Sequence, residues 1–464
     1  MSARGEAPGP PSAPDLTYAE ALAAIESRGR YGIRLGLGRV RALLRAMGDP
    51  QLAVRGALVA GTNGKGSVIA LAGSALRAAG YRVGETPKPH LVTYRERIVV
   101  DGRPIDAATF ARLVGAVLPV ADRVAPRLGP PTEFELLTAV MFRHFAEAGL
   151  DVALVEVGLG GRLDATHAWD GGVAVLTNVG LDHTDRLGPT VTAIAREKAA
   201  IVERGDVAVT GASGDGLAVI RRRCARLGVP LTVAGPAPVL GWDRDSQRVS
   251  LPRLGPTDIA LRGRHQAANV AVADALLDAL EAAGIARTPA AARRRGYATA
   301  RWPGRLELVD VATPAGPREV LLDGAHNPDG AAALARALED LRPYLAGGRA
   351  DPPRPPVLVW ASMADKDVPS ILAAIGSSPA IAGATVVCTA LDVPRAMPAT
   401  ELAAAWRGAL PTATVREVPD PDLALDLALA TGDGPVIVAG SLYLVGAARA
   451  RLVDDPLLRD PVAV

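Results

Sequence analysis

Cysteine, aromatic residues and an excess of charge of either sign are all scarce in this chain of 464 residues. The two cysteines, Cys224 and Cys388, cannot build a disulfide framework or a structural zinc site. Lys plus Arg number 51 and Asp plus Glu 49, so the net charge of +2 offers no global field for holding nucleic acid or an anionic membrane. Aromatic residues make up only 3% of the chain, which leaves few rings for stacking on bases. We therefore expect a protein of the reducing cytoplasm that does not bind nucleic acid.

Long apolar segments are absent as well. Nowhere do about 18 apolar residues run without a charge, so we expect no membrane-spanning helix. Residues 1–15 are rich in Pro, Ala and Gly and have no apolar core, which predicts a disordered lead-in and not a signal peptide. The length leaves room for two or three domains of roughly 100 to 200 residues each.

What the sequence does contain is an alternation of short apolar runs with amphipathic stretches. Apolar runs at 57–60, 152–157 and 173–176 alternate with helical patterns at 67–79 and 133–148. Continuous β-branched runs between helices are typical of buried parallel strands, so the first half predicts an α/β domain.

The Pro-rich segment 236–261 interrupts this alternation. Its short alternating patches predict a few antiparallel strands or an extended excursion before a helix that begins near His265.

A second alternation begins at Arg318. Its apolar runs and helical patterns lie at 320–322, 329–341, 357–359, 386–387, 422–430 and 436–438. Repeated strand and helix units imply a second open parallel sheet with right-handed crossovers. Between the two alternations, a charged helix end at 293–295 precedes turn residues at 302–304, which places the domain boundary within 288–302.

A glycine-rich loop follows the first apolar run and opens the next helix. Its residues are Gly61, Thr62, Asn63, Gly64, Lys65, Gly66 and Ser67. Backbone N–H groups and a helix N-terminus can hold phosphate there, and Lys65 can neutralise it. The loop departs from the strict Walker pattern, because Val59 stands five positions before Gly64 and a glycine separates Lys65 from Ser67. A turn without a ligand would explain the glycines but not the lysine beside them, so we predict a phosphate-binding loop.

A carboxylate lies near the end of the run 152–157. Glu156 is followed by a glycine loop, and ligands gather at the carboxyl ends of strands in open α/β sheets. A carboxylate there can hold a Mg²⁺ ion shared with phosphate, so Glu156 is our leading candidate for a metal ligand. The alternative is an ion pair at a sheet edge, for instance with Arg162.

Two more polar residues follow the next run. His183 stands between Asp182 and Asp185 at a strand end, where an imidazole alone is a less suitable ligand for Mg²⁺ than oxygen. Lys198 lies beside Glu197 on a predicted helix, and both would ordinarily be solvated surface charge. Their immediate surroundings therefore assign neither His183 nor Lys198 a role.

Two loops could bracket a nucleotide between the domains. Gln266 and Asn269 lie at the start of the helix near His265, and Asp323 and His326 follow a strand of the second alternation. Clefts between domains are favoured ligand sites, although helix capping or a turn explains each loop equally well.

Taken in order, these stretches resemble folylpolyglutamate synthase and its bifunctional relative dihydrofolate synthase, members of the Mur ligase superfamily. The match runs from about Leu35 to Gly446. It covers the phosphate loop and the stretches 89–91, 96–98, 156–164, 182–183, 197–199, 263–269, 302–305, 323–328 and 440–446. Each stretch is weak by itself, and their joint order is specific.

The resemblance implies an α/β fold with an N-terminal P-loop ATPase domain on a mainly parallel sheet and a smaller, Rossmann-like C-terminal domain. We accordingly divide the chain into the lead-in (1–15), a Mur ligase-type ATP-binding domain (16–297) and a C-terminal ligase domain (298–464). The implied activity is ATP-dependent addition of L-glutamate to a folate carboxylate, that of dihydropteroate or of a folyl mono- or polyglutamate, through an acyl phosphate. ATP and Mg²⁺ are the implied cofactors, and we expect a cytoplasmic monomer.

The resemblance also implies roles for single residues. The implied catalytic residues are Lys65, Lys198, His326 and Asp323. The implied nucleotide contacts are Gly61, Thr62, Asn63, Gly64, Lys65, Gly66, Ser67, Gln266, Asn269, Arg305 and Asp323. The implied magnesium ligands are Ser67, Glu156, His183 and Lys198, of which Lys198 matches a lysine that is carbamylated in the family. The implied substrate contacts are Lys88, His90, Arg97 and Asp164.

Two departures from the family pattern leave the acceptor open. The family usually has Ser where this chain has Lys88, and Asn where it has His167. The alternatives are therefore a Mur-superfamily amino-acid ligase for a different carboxylate and a non-catalytic nucleotide-binding regulator. The arginine runs 221–223 and 293–295 could suggest nucleic acid, but a net charge near zero favours solvated helix faces.

Overall fold

The computed structural model describes residues 15–32 and 34–461. The expected disordered lead-in, residues 1–15, lies outside the described residues except for Asp15. The helices are α1 Tyr18–Glu26, α2 Gly38–Ala46, α3 Lys65–Ala78, α4 Ala107–Leu128, α5 Glu133–Ala148, α6 Thr184–Leu187, α7 Val191–Ala199, α8 Gly214–Leu227, α9 Arg264–Ala282, α10 Ala290–Thr299, α11 Pro328–Leu341, α12 Val368–Gly376, α13 Ala399–Ala409, α14 Pro421–Ala430 and α15 Leu442–Leu452.

The strands alternate with these helices over most of the chain. They are β1 Gly56–Ala60, β2 Val83–Thr86, β3 Val99–Val100, β4 Arg103–Pro104, β5 Val152–Glu156, β6 Gly172–Leu176, β7 Val207–Thr210, β8 Leu231–Val233, β9 Val239–Trp242, β10 Gln247–Leu251, β11 Gly255–Ile259, β12 Glu307–Thr313, β13 Gly316–Leu322, β14 Val357–Trp360, β15 Thr385–Cys388, β16 Thr414–Glu417 and β17 Val436–Ala439. The predicted α/β fold is confirmed.

The first sheet has eight strands in the order β4-β3-β2-β5-β1-β6-β7-β8. The six strands from β2 to β8 in that order run parallel, and β3 and β4 add an antiparallel edge. Central strands β1 and β5 are buried at every position, as their Val, Leu and Ala runs predict. Helices α4 and α5 belong to the core on one face, and α3, α9 and α10 to the core on the other.

The segment 236–261 forms a separate small sheet. Strands β9, β10 and β11 pair antiparallel, which confirms the prediction of short antiparallel strands in this Pro-rich region. Helix α9 begins at Arg264, one residue before the predicted start near His265.

The second sheet has six strands in the order β12-β13-β17-β14-β15-β16. Five of them run parallel and β12 pairs antiparallel at the edge, so the expected parallel sheet carries an additional hairpin. Two apolar clusters cover its faces.

Helix α10 bears on the boundary between the two parts. It continues to Thr299 and packs against α3 of the first part, so a division between residues 297 and 298 would cut it. We propose that the linker is residues 300–306, immediately before β12.

Loops at the carboxyl ends of strands from both sheets meet. Asn327, after β13, donates from Nδ2 to Oδ1 of Asn63, after β1, at 3.4 Å. Lys366, after β14, lies with its Nζ 3.8 Å from Oδ1 of Asp182, after β6. Among the described helices, none is both long enough and apolar enough to cross a bilayer.

Candidate active site

The predicted phosphate loop joins β1 to α3 and is held from outside by the end of β6. The Thr177 hydroxyl donates to the carbonyl oxygen of Asn63 at 2.6 Å, and the Asn63 amide donates to Oδ1 of Asn178 at 2.8 Å. Gly64 has φ +82°, and a Cβ there would clash with the Asn269 side chain. The loop therefore has a fixed shape that needs glycine at this position. Sequence reasoning gave Thr177 and Asn178 no role, although both directly follow a strand.

The glycine between Lys65 and Ser67 has a packing explanation. A Cβ on Gly66 would overlap the indole of Trp302, which lies on the segment between the two sheets. The departure from the Walker pattern thus lets the linker tryptophan lie directly on the start of α3.

Lys65 and Lys198 converge on one carbonyl group. Lys65 Nζ donates to the oxygens of Gly61 and Thr62 at 3.2 Å each, and Lys198 Nζ donates to the same Gly61 oxygen at 2.9 Å. Lys198 is only 6% exposed, so the surface-charge interpretation is wrong for this residue. Burial and the nearby Lys65 lower the pKa of Lys198 to about 7. Its neighbour Glu197 instead pairs with Arg162 at 3.0 Å.

Glu156 ends β5 and lies in the same place. Its side chain is buried, with Oε1 3.8 Å from Lys65 Nζ and Oε2 accepting from the Lys88 amide at 3.1 Å. Burial raises the pKa of Glu156, and the ammonium groups of Lys65 and Lys88 oppose this effect. The suggested ion pair with Arg162 is wrong, because that guanidinium is taken by Glu197.

The other proposed metal ligands are arranged less tightly. Ser67 is buried, and its Oγ accepts from Gln266 Nε2 at 3.2 Å. His183 has φ +49° and a side chain that is 48% exposed, with Nε2 3.8 Å from Oδ2 of Asp182. Within residues 15–32 and 34–461, no three His, Cys, Asp or Glu side chains form a group that could hold a metal. The Ser67 hydroxyl and a carbamylated Lys198 are not among these four side-chain types. The proposed ligand set therefore stays a prediction.

Helix α9 brings its two predicted nucleotide contacts onto the loop. Asn269 Nδ2 donates to Gln266 Oε1 at 2.9 Å, and Gln266 Nε2 in turn donates to Ser67 Oγ. This chain of hydrogen bonds connects the start of α9 to the start of α3.

The linker contributes Arg305, and the loop after β13 contributes Asp323 and His326. Asp323 accepts from the amides of Leu306 and Ala325 at 3.0 and 2.9 Å, so its carboxylate fixes the backbone on either side of the strand end. Arg305 Nη1 donates to the carbonyl oxygen of Gly304 at 3.0 Å.

His326 has a defined tautomer. Its Nδ1 lies 2.7 Å from the Gly324 carbonyl oxygen, which can only accept, so we assign the proton to Nδ1. Burial lowers the pKa of His326, which favours the neutral ring with Nε2 free to accept.

Of the four proposed substrate residues, three lie near one another, namely Lys88, His90 and Arg97. Arg97 Nε donates to His90 Nδ1 at 2.8 Å, and burial, assisted by Arg97, lowers the pKa of His90 to about 4. Lys88 Nζ donates to the Glu156 carbonyl at 2.7 Å and lies 4.4 Å from the Phe134 ring centre. Lys88 and Arg97 line a small cavity of about 10 Å³ that is otherwise mainly apolar.

Asp164 has a structural contact set. Its carboxylate accepts from the amides of Gly158, Leu159 and Thr166 and from the Thr166 hydroxyl, at 3.1, 2.9, 3.0 and 2.6 Å. These bonds shape the glycine loop after Glu156, and any contact with substrate stays a prediction.

The arginine runs are only partly solvated. Arg293 is 4% exposed and pairs with Asp274 and Asp278 at 3.0 and 2.8 Å, so a solvated face is wrong for this residue. Arg223 donates to the carbonyl of Val202 at 2.8 Å, whereas Arg221 is exposed.

Lys366 is a polar residue at the cleft that sequence reasoning missed. It belongs to an Asp-Lys-Asp run a few residues after β14, and a charged run near the carboxyl end of a parallel strand was the available signal.

Comparison with known proteins gives the same arrangement of parts. The Mur ligase middle domain matches residues 59–277, and the glutamate ligase domain of Mur ligases matches residues 304–442. Dihydrofolate synthase/folylpolyglutamate synthase of Bacillus subtilis is 33% identical over 445 residues, covering 94% of this chain and 99% of the relative.

Solved structures agree over the whole length. Mycobacterium tuberculosis folylpolyglutamate synthase, complexed with ADP and AMPPCP, superposes with a TM-score of 0.82 at 31% identity, covering 95% of this chain and all of the other. Escherichia coli FolC, in complex with DHPP and ADP, superposes with a TM-score of 0.78 at 31% identity, covering 94% of this chain and 97% of the other. The chain therefore belongs to the dihydrofolate synthase/folylpolyglutamate synthase family of Mur ligases.

Proposed function

We propose that the protein is an ATP-dependent ligase that adds L-glutamate to a folate carboxylate, that of dihydropteroate or of a folyl mono- or polyglutamate. The observation that carries the proposal is the convergence of Lys65, Glu156 and Lys198 at a glycine loop. Two relatives of the same length are described in complex with adenine nucleotides, and one of these also with DHPP.

The loop fits the phosphates of ATP. Residues 61–64 lead into α3, whose first N–H groups lack partners within the helix and favour an anion. Lys65 is held at the loop by two carbonyl groups, from which its ammonium can turn to a phosphate oxygen. Gln266 and Asn269 approach the same loop from α9, and Arg305, on the linker, lies close enough to Glu156 to oppose the rise in the pKa of that carboxyl.

The donor atoms also fit Mg²⁺. Ser67 and Glu156 supply oxygen atoms, which a hard cation prefers, and His183 supplies a ring nitrogen. A carbamate on Lys198 would add two more oxygens near Gly61 and Lys65. When bound, the ion supplies positive charge that offsets the phosphate oxygens.

The side chains described above can assist both steps of the proposed reaction. An acceptor carboxylate oxygen bonds to the γ-phosphorus as the bond to ADP breaks, and Lys65 stabilises the charge on the transferred group. The glutamate nitrogen then attacks the acyl carbon, a proton leaves the nitrogen, and phosphate departs with the electrons of the C–O bond. In this proposal His326 acts on the transferring phosphate through its Nε2, and Asp323 fixes the backbone that holds His326.

Lys88, His90 and Arg97 form the acceptor side of the proposed site. The Lys88 ammonium and the Arg97 guanidinium give this side positive charge, which suits an acceptor that carries a carboxylate. Asp164 supports this side by shaping the loop after Glu156. The remaining expectations, a monomer in the cytoplasm, can be tested by light scattering and cell fractionation.

The test is ligation by the purified full chain with ATP, Mg²⁺ and labelled L-glutamate. Dihydropteroate, tetrahydrofolate and a peptidoglycan precursor are supplied in separate reactions, and products are resolved by mass. We expect glutamylated pterin and stoichiometric ADP and phosphate only with a folate acceptor. Turnover with the peptidoglycan precursor alone favours a different Mur ligase, and ATP binding without any product favours the regulator. Vigorous ADP release with every acceptor omitted would contradict acyl-phosphate formation on the substrate.

A further inference from the structure

The end of the chain returns from the second sheet to the first. After α15, residues 453–461, here called the C-terminal tail, leave the second part and lie against the loop that carries Thr93 and Arg95. The tail is anchored where it starts, because Arg449 donates to Glu307 at 3.0 Å and to Asp455 at 3.3 Å.

Arg95 holds the other end of the tail. Its guanidinium donates to Oδ1 of Asp460 at 3.0 Å and to the carbonyl groups of Leu457 and Arg459 at 3.0 and 2.7 Å. Among the described residues, one further bond of the guanidinium, to the Ile105 carbonyl at 3.3 Å, stays within the first part. Arg95 is 6% exposed, so the tail both covers the guanidinium and supplies most of its hydrogen-bond partners.

Two more contacts reinforce this attachment. The Thr93 hydroxyl donates to the same Asp460 oxygen at 2.6 Å, and Leu458 is buried with 8% of its surface exposed. The tail is therefore fixed by charge, by backbone carbonyl groups and by an apolar side chain.

The residues that hold the tail also belong to the acceptor-side loop. Arg95 lies on the short 3₁₀ helix Tyr94–Arg97, whose last residue donates to His90. The Glu96 carboxylate accepts from the amides of residues 91–93, at 3.3, 2.7 and 2.7 Å, so hydrogen bonds hold the loop together. Arg95 is therefore connected to His90 and Arg97 through this bonded loop.

We propose that the C-terminal tail positions the acceptor-side loop and that Arg95 is the positioning residue through which it acts. This inference rests on the proposed function, because it assigns the loop 90–97 to the folate acceptor. Arg95 itself is fully engaged with the protein and contacts no reacting atom. Removing the tail should weaken binding of the acceptor and leave the nucleotide loop intact, because no residue of 453–461 forms a hydrogen bond or an ion pair with the described loop 61–67.

The first experiment compares the full chain with a form that ends at Val453. We expect the apparent KM for the pterin acceptor to rise about tenfold, as for the loss of roughly 1.4 kcal/mol of binding, while the KM for ATP stays within about twofold. A synthetic peptide of residues 454–464, added in excess, should restore part of the acceptor affinity. The same measurements on Asp460→Ala and Arg95→Met cover the case that the shortened chain does not fold.

Two controls separate positioning from general stability. Arg248→Gln removes an exposed arginine of β10 that pairs with Asp258 in the small antiparallel sheet, and it should leave both KM values unchanged. Arg95→Lys keeps the charge and should lose less acceptor affinity than Arg95→Met.

The outcomes are distinct for the two proposals. A full chain that ligates glutamate to no folate overturns the proposed function. A full chain that is active, with variants whose acceptor KM is unchanged or rises in step with the KM for ATP, overturns the role of the tail. A selective rise in acceptor KM that the peptide reverses supports it.

Discussion

Lys198 and Gly61 are joined by a hydrogen bond of 2.9 Å from Nζ to the carbonyl oxygen, across 137 residues of sequence. Lys65 donates to the same oxygen, so two ammonium groups are crowded at the phosphate loop. Like charges in a buried place disfavour each other. Attachment of CO₂ to Lys198 would turn one of them into an anion and relieve the conflict.

We therefore predict that Lys198 is carbamylated and that Lys198→Ala is nearly inactive. Acetate should partly restore turnover by occupying the vacated position. Lys198→Arg is the control, because arginine keeps the charge and cannot form the carbamate. Enzyme depleted of bicarbonate should lose activity and regain it on resupply, and ¹³C-labelled CO₂ should give a carbamate NMR signal. Full activity of Lys198→Ala would refute this assignment.

Replacing Lys65 should separate catalysis from folding. Its ammonium contacts only carbonyl groups of its own loop and lies 3.8 Å from Glu156, so Lys65→Ala removes no core packing. We expect ligation to fall at least about 100-fold, with the melting temperature within about 2 °C of the parent. An assay of glutamate ligation and thermal unfolding give the two readouts. Parallel loss of stability and activity would indicate a structural lysine.

Lys88 is where this chain departs from the usual family residue. Lys88→Ser removes an ammonium that donates to Glu156 and lies over Phe134. We expect the apparent KM to rise about tenfold for one acceptor, dihydropteroate or folyl glutamate, and less for the other. Lys88→Met keeps the length of the side chain without its charge and should behave like the serine variant. Equal kinetics for both acceptors in all three proteins would make Lys88 a bystander.

Asp206 predicts a pH dependence of stability. It is 3% exposed, and burial together with the neighbouring Asp170 raises its pKa to about 7. The folded protein thus keeps a proton that the unfolded chain, with an Asp pKa of about 3.9, releases. The stabilisation of the folded state by this retained proton is complete below that lower pKa and is lost as the pH rises towards 7.

Asp206→Asn should remove this dependence. We expect its melting temperature to exceed that of the parent by about 2–4 °C near pH 8, with the advantage gone near pH 4. Scanning calorimetry across this range measures the difference. A difference that does not vary with pH would show that the Asp206 carboxyl does not titrate as described.

Local patterns predicted most of the elements that build the site. The helix expected at 133–148 is α5, because Thr132 and Glu135 form a capping box at its start and a glycine with φ +62° ends it. Helix α4 was not predicted, since it contains Pro119 and Pro126, which usually end helices. Its buried apolar face, which includes Phe110, stabilises it in spite of the prolines.

Contacts between distant residues could not be predicted in the same way. Buried Lys198 donates to a carbonyl 137 residues earlier in the sequence, and Arg95 pairs with Asp460 across 365 residues. Neither residue differs in its local pattern from an ordinary surface charge. Such positions become informative only when the sheet order brings strand ends and the chain terminus together.

The overlap between Gly66 and Trp302 constrains how the sequence can vary. A side chain at position 66 has room only if the indole is replaced by something smaller, so the two positions are an epistatic pair. Gly66→Ala alone should be harmful, and Trp302→Leu should partly compensate for it. Variation in the nucleotide loop is thereby tied to variation in the linker, and neither segment can drift independently of the other.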